Sequence, residues 1–279
     1  MNLLRKINTV IVIRIVCVIM ISYALYMVGS MLLDRSVNAQ TYEDLRDLYA
    51  EDKQAAAIAV EETATPAPAP VVLHDVVEDT AMLPAQAAPH KEDATPENTF
   101  TNLRKANKDF VGWLHIKDTH IDYPVVQTTD NEYYLNHNFR KSENIGGAIF
   151  MDYRNKKDSK SSNTIIYGHH MKDDTMFTDL LKFADQEFYD EHPTFTFETT
   201  KGEQTWEIFS AYITNTSFNY IIPDFDTKKQ FSDFISKVAR KSLIKTDVKV
   251  SSSDQIMTLS TCSYSLKDGR MVVHARKIN

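Results

Sequence analysis

The longest apolar run lies near the start of the chain, where Ile15 to Leu33, "IVCVIMISYALYMVGSMLL", passes nineteen residues without a charge. As a helix rising about 1.5 Å per residue, it would span roughly 28 Å, close to a bilayer core of about 30 Å. The apolar pattern then thins. Residues 41–60, "TYEDLRDLYAEDKQAAAIAV", keep Tyr42, Leu45 and Leu48–Tyr49 at helical spacing and predict a local helix. From about residue 97 the period changes. "IDYPVVQ", "GAIFMDYR", "NTIIYGHH", "TFTFETT", "TWEIFSAYI", "IMTLSTCSY" and "RMVVHARKI" are short segments rich in Ile, Val, Tyr, Phe and Thr, divided by turn-prone stretches. They read as strands. Three stretches read instead as helices. "NTFTNLRKANKDF" leads into the strands. "TMFTDLLKFAD" sets Met176, Phe177, Leu180 and Leu181 on one face. "TKKQFSDFISKVARKSL" places Phe231, Phe234, Ile235 and Val238 at i, i+3, i+4 and i+7, with Thr227 and Gln230 fitting a capping box.

Many short strands with a few inserted helices predict a mainly β (α+β) domain, closed or nearly closed into a barrel, which removes exposed sheet edges. The chain therefore divides into residues 1–33, a cytoplasmic N-terminus and transmembrane anchor; residues 34–96, an acidic linker; and residues 97–279, one folded domain.

Charge sharpens this division. Arg5, Lys6 and Arg14 lie on the N-terminal side of most of the apolar run, so the short N-terminus is expected in the cytoplasm and everything after Leu33 outside. A competing reading is a cleaved signal peptide with "VNA" before Gln40 as its small-residue site, although the run exceeds a usual signal core of about 7–15 residues. Residues 34–96 hold six of the nine prolines and carry four basic against thirteen acidic residues. Such a stretch cannot bury enough apolar surface to offset its ordering entropy. From Glu97 onward 24 basic meet 25 acidic residues, so the formal charge of −7 belongs to the linker and no nucleic-acid-binding pattern is present.

Three features carry candidate chemistry. Cys262 is one of only two cysteines; the other, Cys17, sits inside the membrane run, so the two are not expected to pair. A spare thiol in an exported domain is worth attention because such compartments often oxidise it. Cysteine is also among the residues most often buried simply as a small hydrophobe. To act as a nucleophile it needs help, being about 3% thiolate at pH 7 with an ordinary pKa near 8.5. The second feature is Gly168-His169-His170 at the end of an apolar strand, where the glycine suggests a turn. One histidine could activate the thiol or share its proton; the plainer reading has one imidazole closing the strand and the other solvated. A zinc site has no HExxH or CxxC spacing behind it, so no metal and no cofactor is expected. The third is Arg270, which the turn "KDG" would return alongside Cys262. A guanidinium is no base near neutral pH but can donate hydrogen bonds to a developing oxyanion. The plainer reading is a surface arginine, as Arg276 reads.

Taken together, "TLSTC", "YGHHM" and "RMVVHA", with "EYYLNHNF", "GAIFMDYRN" and "FSAYITNT" between them, resemble the sortase family, in detail class B sortases, from about Asn98 to the C-terminus. The resemblance implies a closed eight-stranded barrel with N-terminal helices and a long helix, matching residues 227–242, before the cysteine strand. It implies Cys262 as nucleophile, His169 as general acid/base and Arg270 as oxyanion stabiliser. His170, adjacent on a strand, would point the other way. Substrate-binding positions would fall on Asn131, Leu135, Thr216, Tyr220, Ile221 and Ser260. The implied activity is that of a membrane-anchored cysteine transpeptidase of Gram-positive bacteria, which cuts the C-terminal sorting signal of a surface protein after Thr. The thioacyl enzyme then passes the protein to a peptidoglycan-precursor amine, or to a pilin lysine in polymerising relatives. A short Cys-to-Arg loop departs from the pattern and leaves open the preference after the scissile Thr. A thiol hydrolase, or a tethered binding module with a structural Cys262, are the alternatives.

Overall fold

The computed structural model describes residues 2–64, 100–156, 161–215, 217–262 and 269–278. Its centre is a barrel of eight strands: β1 (Phe110–His115), β2 (Asp122–Val126), β3 (Ile149–Met151), β4 (Asn163–His169), β5 (Thr194–Thr199), β6 (Gly202–Thr214), β7 (Ile256–Cys262) and β8 (Arg270–Lys277). Around the barrel they run β1-β2-β3-β4-β7-β8-β6-β5, and β5 pairs back onto β1. The β2–β3 and β4–β7 pairs are parallel and the others antiparallel. All seven strands expected from their β-branched and aromatic content are present. The eighth, β1, begins at Phe110, where the sequence pattern instead ends a helix. That helix, α2 (Thr101–Ala106), stops earlier, at Asn107 in extended conformation.

Helical periods also resolve differently in one place. The stretch expected as an amphipathic helix around Leu180 is a 3₁₀ helix, Thr178–Ala184, followed by the short helix α3 (Gln186–Glu191). With three residues per turn, Leu180 and Phe183 fall on the buried face while Leu181 is only half buried. The long inserted helix α4 (Lys228–Ala239) forms as its pattern requires. Thr227 Oγ1 accepts from the Gln230 N–H at 3.1 Å, and Gln230 Oε1 accepts from the Asp226 N–H at 3.0 Å, which puts the return bond of the capping box one residue before the cap. Its apolar stripe of Phe231, Phe234, Ile235 and Val238 packs with Phe209, Tyr212 and Val272 into a second core outside the barrel.

The N-terminal helix α1 (Asn2–Ala64) is continuous. Every position from Ile11 to Val28 is exposed, as the apolar membrane candidate requires. The following turns dock on the barrel. Asn38, Tyr42, Leu45 and Asp52 are buried, and the Tyr49 ring stacks on Trp113 at 4.3 Å with its hydroxyl donating to Glu198 Oε2 at 2.6 Å. Asp52 accepts from the N–H groups of Asn102 and Leu103 at 3.0 and 3.1 Å, and so caps α2, whose own preceding residue Phe100 provides no side-chain bond. Composition assigned this stretch to the linker. The helix there is the one that the spacing of residues 41–60 predicts, and Asp52, one of the acidic residues of that stretch, lies in a contact between helices. The proline-rich remainder, 65–99, lies outside the described residues.

A buried polar chain ties four neighbouring strands together. Thr258 donates to Asn163 Oδ1 at 2.7 Å, so the His274 Nδ1–H must donate to the Thr258 oxygen at 2.9 Å, and His274 Nε2 accepts from the Tyr212 hydroxyl at 2.8 Å. The neutral imidazole is fully satisfied, and burial pushes its pKa down to about 3. Since the unfolded histidine titrates near 6.5, between that pH and about 3 the unfolded chain binds a proton that the native chain refuses. Stability therefore falls as pH drops through this window. Denaturant titrations of wild type and His274→Gln between pH 7 and 4 should show the acid slope reduced by about one proton in the variant; equal slopes would refute it.

Candidate active site

Strands β4 and β7 run parallel in register from Asn163 opposite Ile256 to His169 opposite Cys262, so the two residues end adjacent strands at the same level. The Cys262 side chain lies outside the described residues, as do residues 263–268 of the Cys-to-Arg loop and Thr216. On the other side of β7, paired residues run from Ile256 opposite Arg276 to Ser260 opposite Val272. The Met271 N–H then donates to Thr261 Oγ1 at 3.0 Å. The same register carried two residues further sets Arg270 opposite Cys262. Arg276 is at the far end, six strand positions or about 20 Å from residue 262. Its guanidinium holds Glu207 at 2.8 Å and the Lys249 carbonyl at 3.0 Å, which is a structural use.

His169 is buried, and its Nε2 stands 2.6 Å from the Leu135 carbonyl oxygen. A carbonyl only accepts, so in the neutral imidazole Nε2 carries the hydrogen and Nδ1 the lone pair. Gly168 makes no turn. It stays within β4, and a Cβ there would stand 2.7 Å from Phe177 Cγ, so close packing requires the glycine. His170 forms an isolated bridge with Met176, and its Nδ1 is buried without a hydrogen-bond partner among the described residues.

Of the other expected positions among the described residues, Ser260 lies on β7 and the rest lie outside the strands. Ser260 is level with Tyr167 of β4, and its hydroxyl bonds the Tyr220 hydroxyl at 2.8 Å. Ile221 bridges the two cores. Leu135 contributes through its carbonyl. Asn131 donates to Asp152 Oδ2 at 3.0 Å and accepts from the Tyr153 N–H at 3.0 Å.

Asp152 joins these pieces, and sequence reading gave it no role. Its carboxylate binds the Arg154 guanidinium at 2.6 and 2.8 Å and accepts from the Tyr167 hydroxyl at 2.9 Å. Arg154 in turn donates to the Ile221 carbonyl at 3.0 Å. Burial pushes the Asp152 carboxyl up, but the hydrogen bonds from Arg154 and Tyr167 outweigh it and hold it below the usual carboxylate range. A polar chain thus runs from the Asn131 loop to the loop carrying Tyr220 and Ile221. The available signal was "DYR", where an acid two residues before an arginine can close a local turn around it.

Among the described residues no group of His, Cys, Asp and Glu could hold a metal ion. The arrangement offers a proton-exchanging imidazole and a guanidinium on strands flanking a cysteine strand, which suits acyl transfer.

The sortase domain family model matches residues 114–278. The chain belongs to the sortase family. Sortase B of Listeria monocytogenes is 43% identical over 200 residues, covering 71% of this chain and 81% of that relative. A Staphylococcus aureus sortase B–substrate complex superposes with a TM-score of 0.71 at 32% identity, over 88% of this sortase and 99% of that chain. A sortase B complexed with a three-glycine ligand gives a TM-score of 0.63 at 42% identity, over 66% of this sortase and 86% of that chain. This sortase is a cysteine transpeptidase of the sortase B type, and its closed, mixed eight-stranded barrel with an N-terminal helix is theirs as well.

Proposed function

We propose that this sortase cleaves the C-terminal sorting signal of surface proteins after Thr and transfers them to a peptidoglycan-precursor amine. Cys262 is the nucleophile, His169 the general acid/base and Arg270 the oxyanion stabiliser. The observation that carries this is the parallel register of β4 and β7, which levels His169 with Cys262. Cys262 and His169 hold one exchangeable proton between them. Sulfur attacks the Thr carbonyl carbon and the C–O double bond opens to an oxyanion facing the Arg270 guanidinium. Collapse breaks the C–N bond, and His169 Nδ1 delivers the proton to the departing amine. The acceptor amine then attacks the thioester, gives its proton to His169 and releases the thiolate. Asn131, Leu135, Thr216, Tyr220, Ile221 and Ser260 contact the sorting signal.

The apolar half of α1 anchors the enzyme, with the N-terminus inside and the barrel outside. Two observations support an uncleaved helix over a removed signal. Helix α1 runs without a break through residues 37–40, and Asp34 and Asn38, which cleavage would remove, pack against the barrel.

The test uses the full chain in detergent micelles with a library of sorting-signal-like peptides, read by mass spectrometry with and without oligoglycine or a diaminopimelate-type amine. Cleavage after Thr and capture of the acyl group by the added amine are expected. Release to water alone, unaffected by amine, would make it a thiol hydrolase; no cleavage of any peptide would overturn the reading.

A further inference from the structure

The imidazole expected to move the proton is not held by the barrel alone. Its Nε2–H donates to the Leu135 carbonyl at 2.6 Å, and that carbonyl is backed by Gly147. Gly147 has φ +59°, and a Cβ there would stand 2.7 Å from Leu135 O and closer still to Tyr134 O. Only glycine lets this turn lie flat against the peptide that receives His169.

Helix α1 grips the turn Asn144–Gly147 with three residues one turn apart on one face. Asp34 accepts from Asn144 Nδ2 at 2.8 Å and from the Ile145 N–H at 3.4 Å. Asn38 Nδ2 lies against Gly146, where an added Cβ would stand 3.1 Å from it. The Tyr42 hydroxyl, buried, donates to the Gly147 carbonyl at 3.0 Å. On the other flank of His169, Arg35 of the same helix reaches Asp173 at 3.5 Å, in the loop whose Phe177 N–H returns to the His169 carbonyl at 2.8 Å. Asp34 directly follows the apolar run that ends at Leu33.

From this we infer that Tyr42 and Gly147 are positioning residues for catalysis: the helix leaving the membrane presses the 144–147 turn against Leu135, and Leu135 fixes the tautomer and orientation of His169. The inference rests on His169 being the general acid/base. A fixed Nε2–H tautomer keeps Nδ1 as the exchanging nitrogen, so loosening the turn lowers the fraction of enzyme able to protonate the leaving amine. Peptide binding draws on Leu135 together with five other residues, so it should change much less than turnover.

The experiment compares wild type, Tyr42→Phe and Gly147→Ala as full chains in micelles. Tyr42→Phe keeps the ring and removes one hydroxyl, so it stays informative if Gly147→Ala fails to fold. The readouts are kcat and KM for the cleaved peptide, the thermal midpoint, and the tautomer of ¹⁵N-labelled His169 in buffer where imidazoles are neutral. Tyr42→Phe should lower kcat on the order of tenfold with a much smaller change in KM, and Gly147→Ala by up to about a hundredfold, the cost of misplacing a catalytic group by about 1 Å. In both, His169 should change from one tautomer to a mixture. An unchanged tautomer overturns the inference, whether activity is kept or falls along with the thermal midpoint. Wild type and Cys262→Ala run alongside: an inactive wild type or an active Cys262→Ala removes the proposed function, while the tautomer comparison still decides this inference.

Discussion

Replacing Cys262 with alanine should leave a folded barrel that no longer cleaves a sorting-signal peptide, with turnover down on the order of 10⁴-fold or more. The size follows from the role. Without sulfur there is no atom to carry the acyl group between donor and acceptor, and the oxyanion and proton-transfer groups have nothing to act on. Folding should survive because Cys262 is the last residue of β7, beyond the paired stretch that ends at Ser260 and Val272, and because the β4–β7 ladder uses backbone groups that alanine also has. Thermal unfolding checks the fold, and mass spectrometry of acid-quenched wild type checks for the thioacyl adduct. Cleavage retained by Cys262→Ala, or an adduct found on another residue, would remove Cys262 from the mechanism.

How much of this was legible from sequence depends on whether the information is local. Seven strands and α4 follow from local pattern, the strands from short β-branched and aromatic runs bounded by turns and α4 from its i, i+3, i+4, i+7 spacing. Strand β1 was missed since Gly112 and the early helix former run up to Phe110 blur the alternation. The docked half of α1 shows its helical spacing in the sequence, but its composition is that of a linker, and only the partners in space, Trp113, Glu198 and the α2 N–H groups, show that those residues are in use. The candidate triad was visible as residue types, and the resemblance ordered it. Which residues stand level across β4, β7 and β8 was not visible, because register is a relation between distant segments. The same holds for Leu135, whose contribution is a backbone carbonyl that any residue type would have supplied.

Register also separates the two arginines of β8, a choice that sequence left open. Arg276 is committed to Glu207 and to the Lys249 carbonyl at the end of the sheet away from Cys262. Arg270 begins β8, level with Thr214 of β6 on one side and, by continuation, with Cys262 on the other. Of the two, Arg270 is the one whose position fits the proposed oxyanion role.

Arg270→Lys should then be almost as damaging as removal of the charge. Both side chains are cations, so a purely Coulombic role would survive the change. A guanidinium, however, presents planar N–H donors in a fixed fork, whereas an ammonium on a flexible stem must be ordered afresh in each transition state. Loss of one well-placed oxyanion donor costs about 10²–10³ in kcat. The oxyanion exists only after attack, so the loss should fall on kcat with the KM for peptide little changed, the sign of an interaction made in the transition state alone. Steady-state kinetics of Arg270→Lys and Arg270→Ala, with Arg276→Lys as the positional control, measure this. A variant Arg270→Lys within about threefold of wild type, well short of the loss of an oxyanion donor, would show that charge alone suffices or that another donor holds the oxyanion. A matching loss in Arg276→Lys would point instead to stability of β8, which carries both residues.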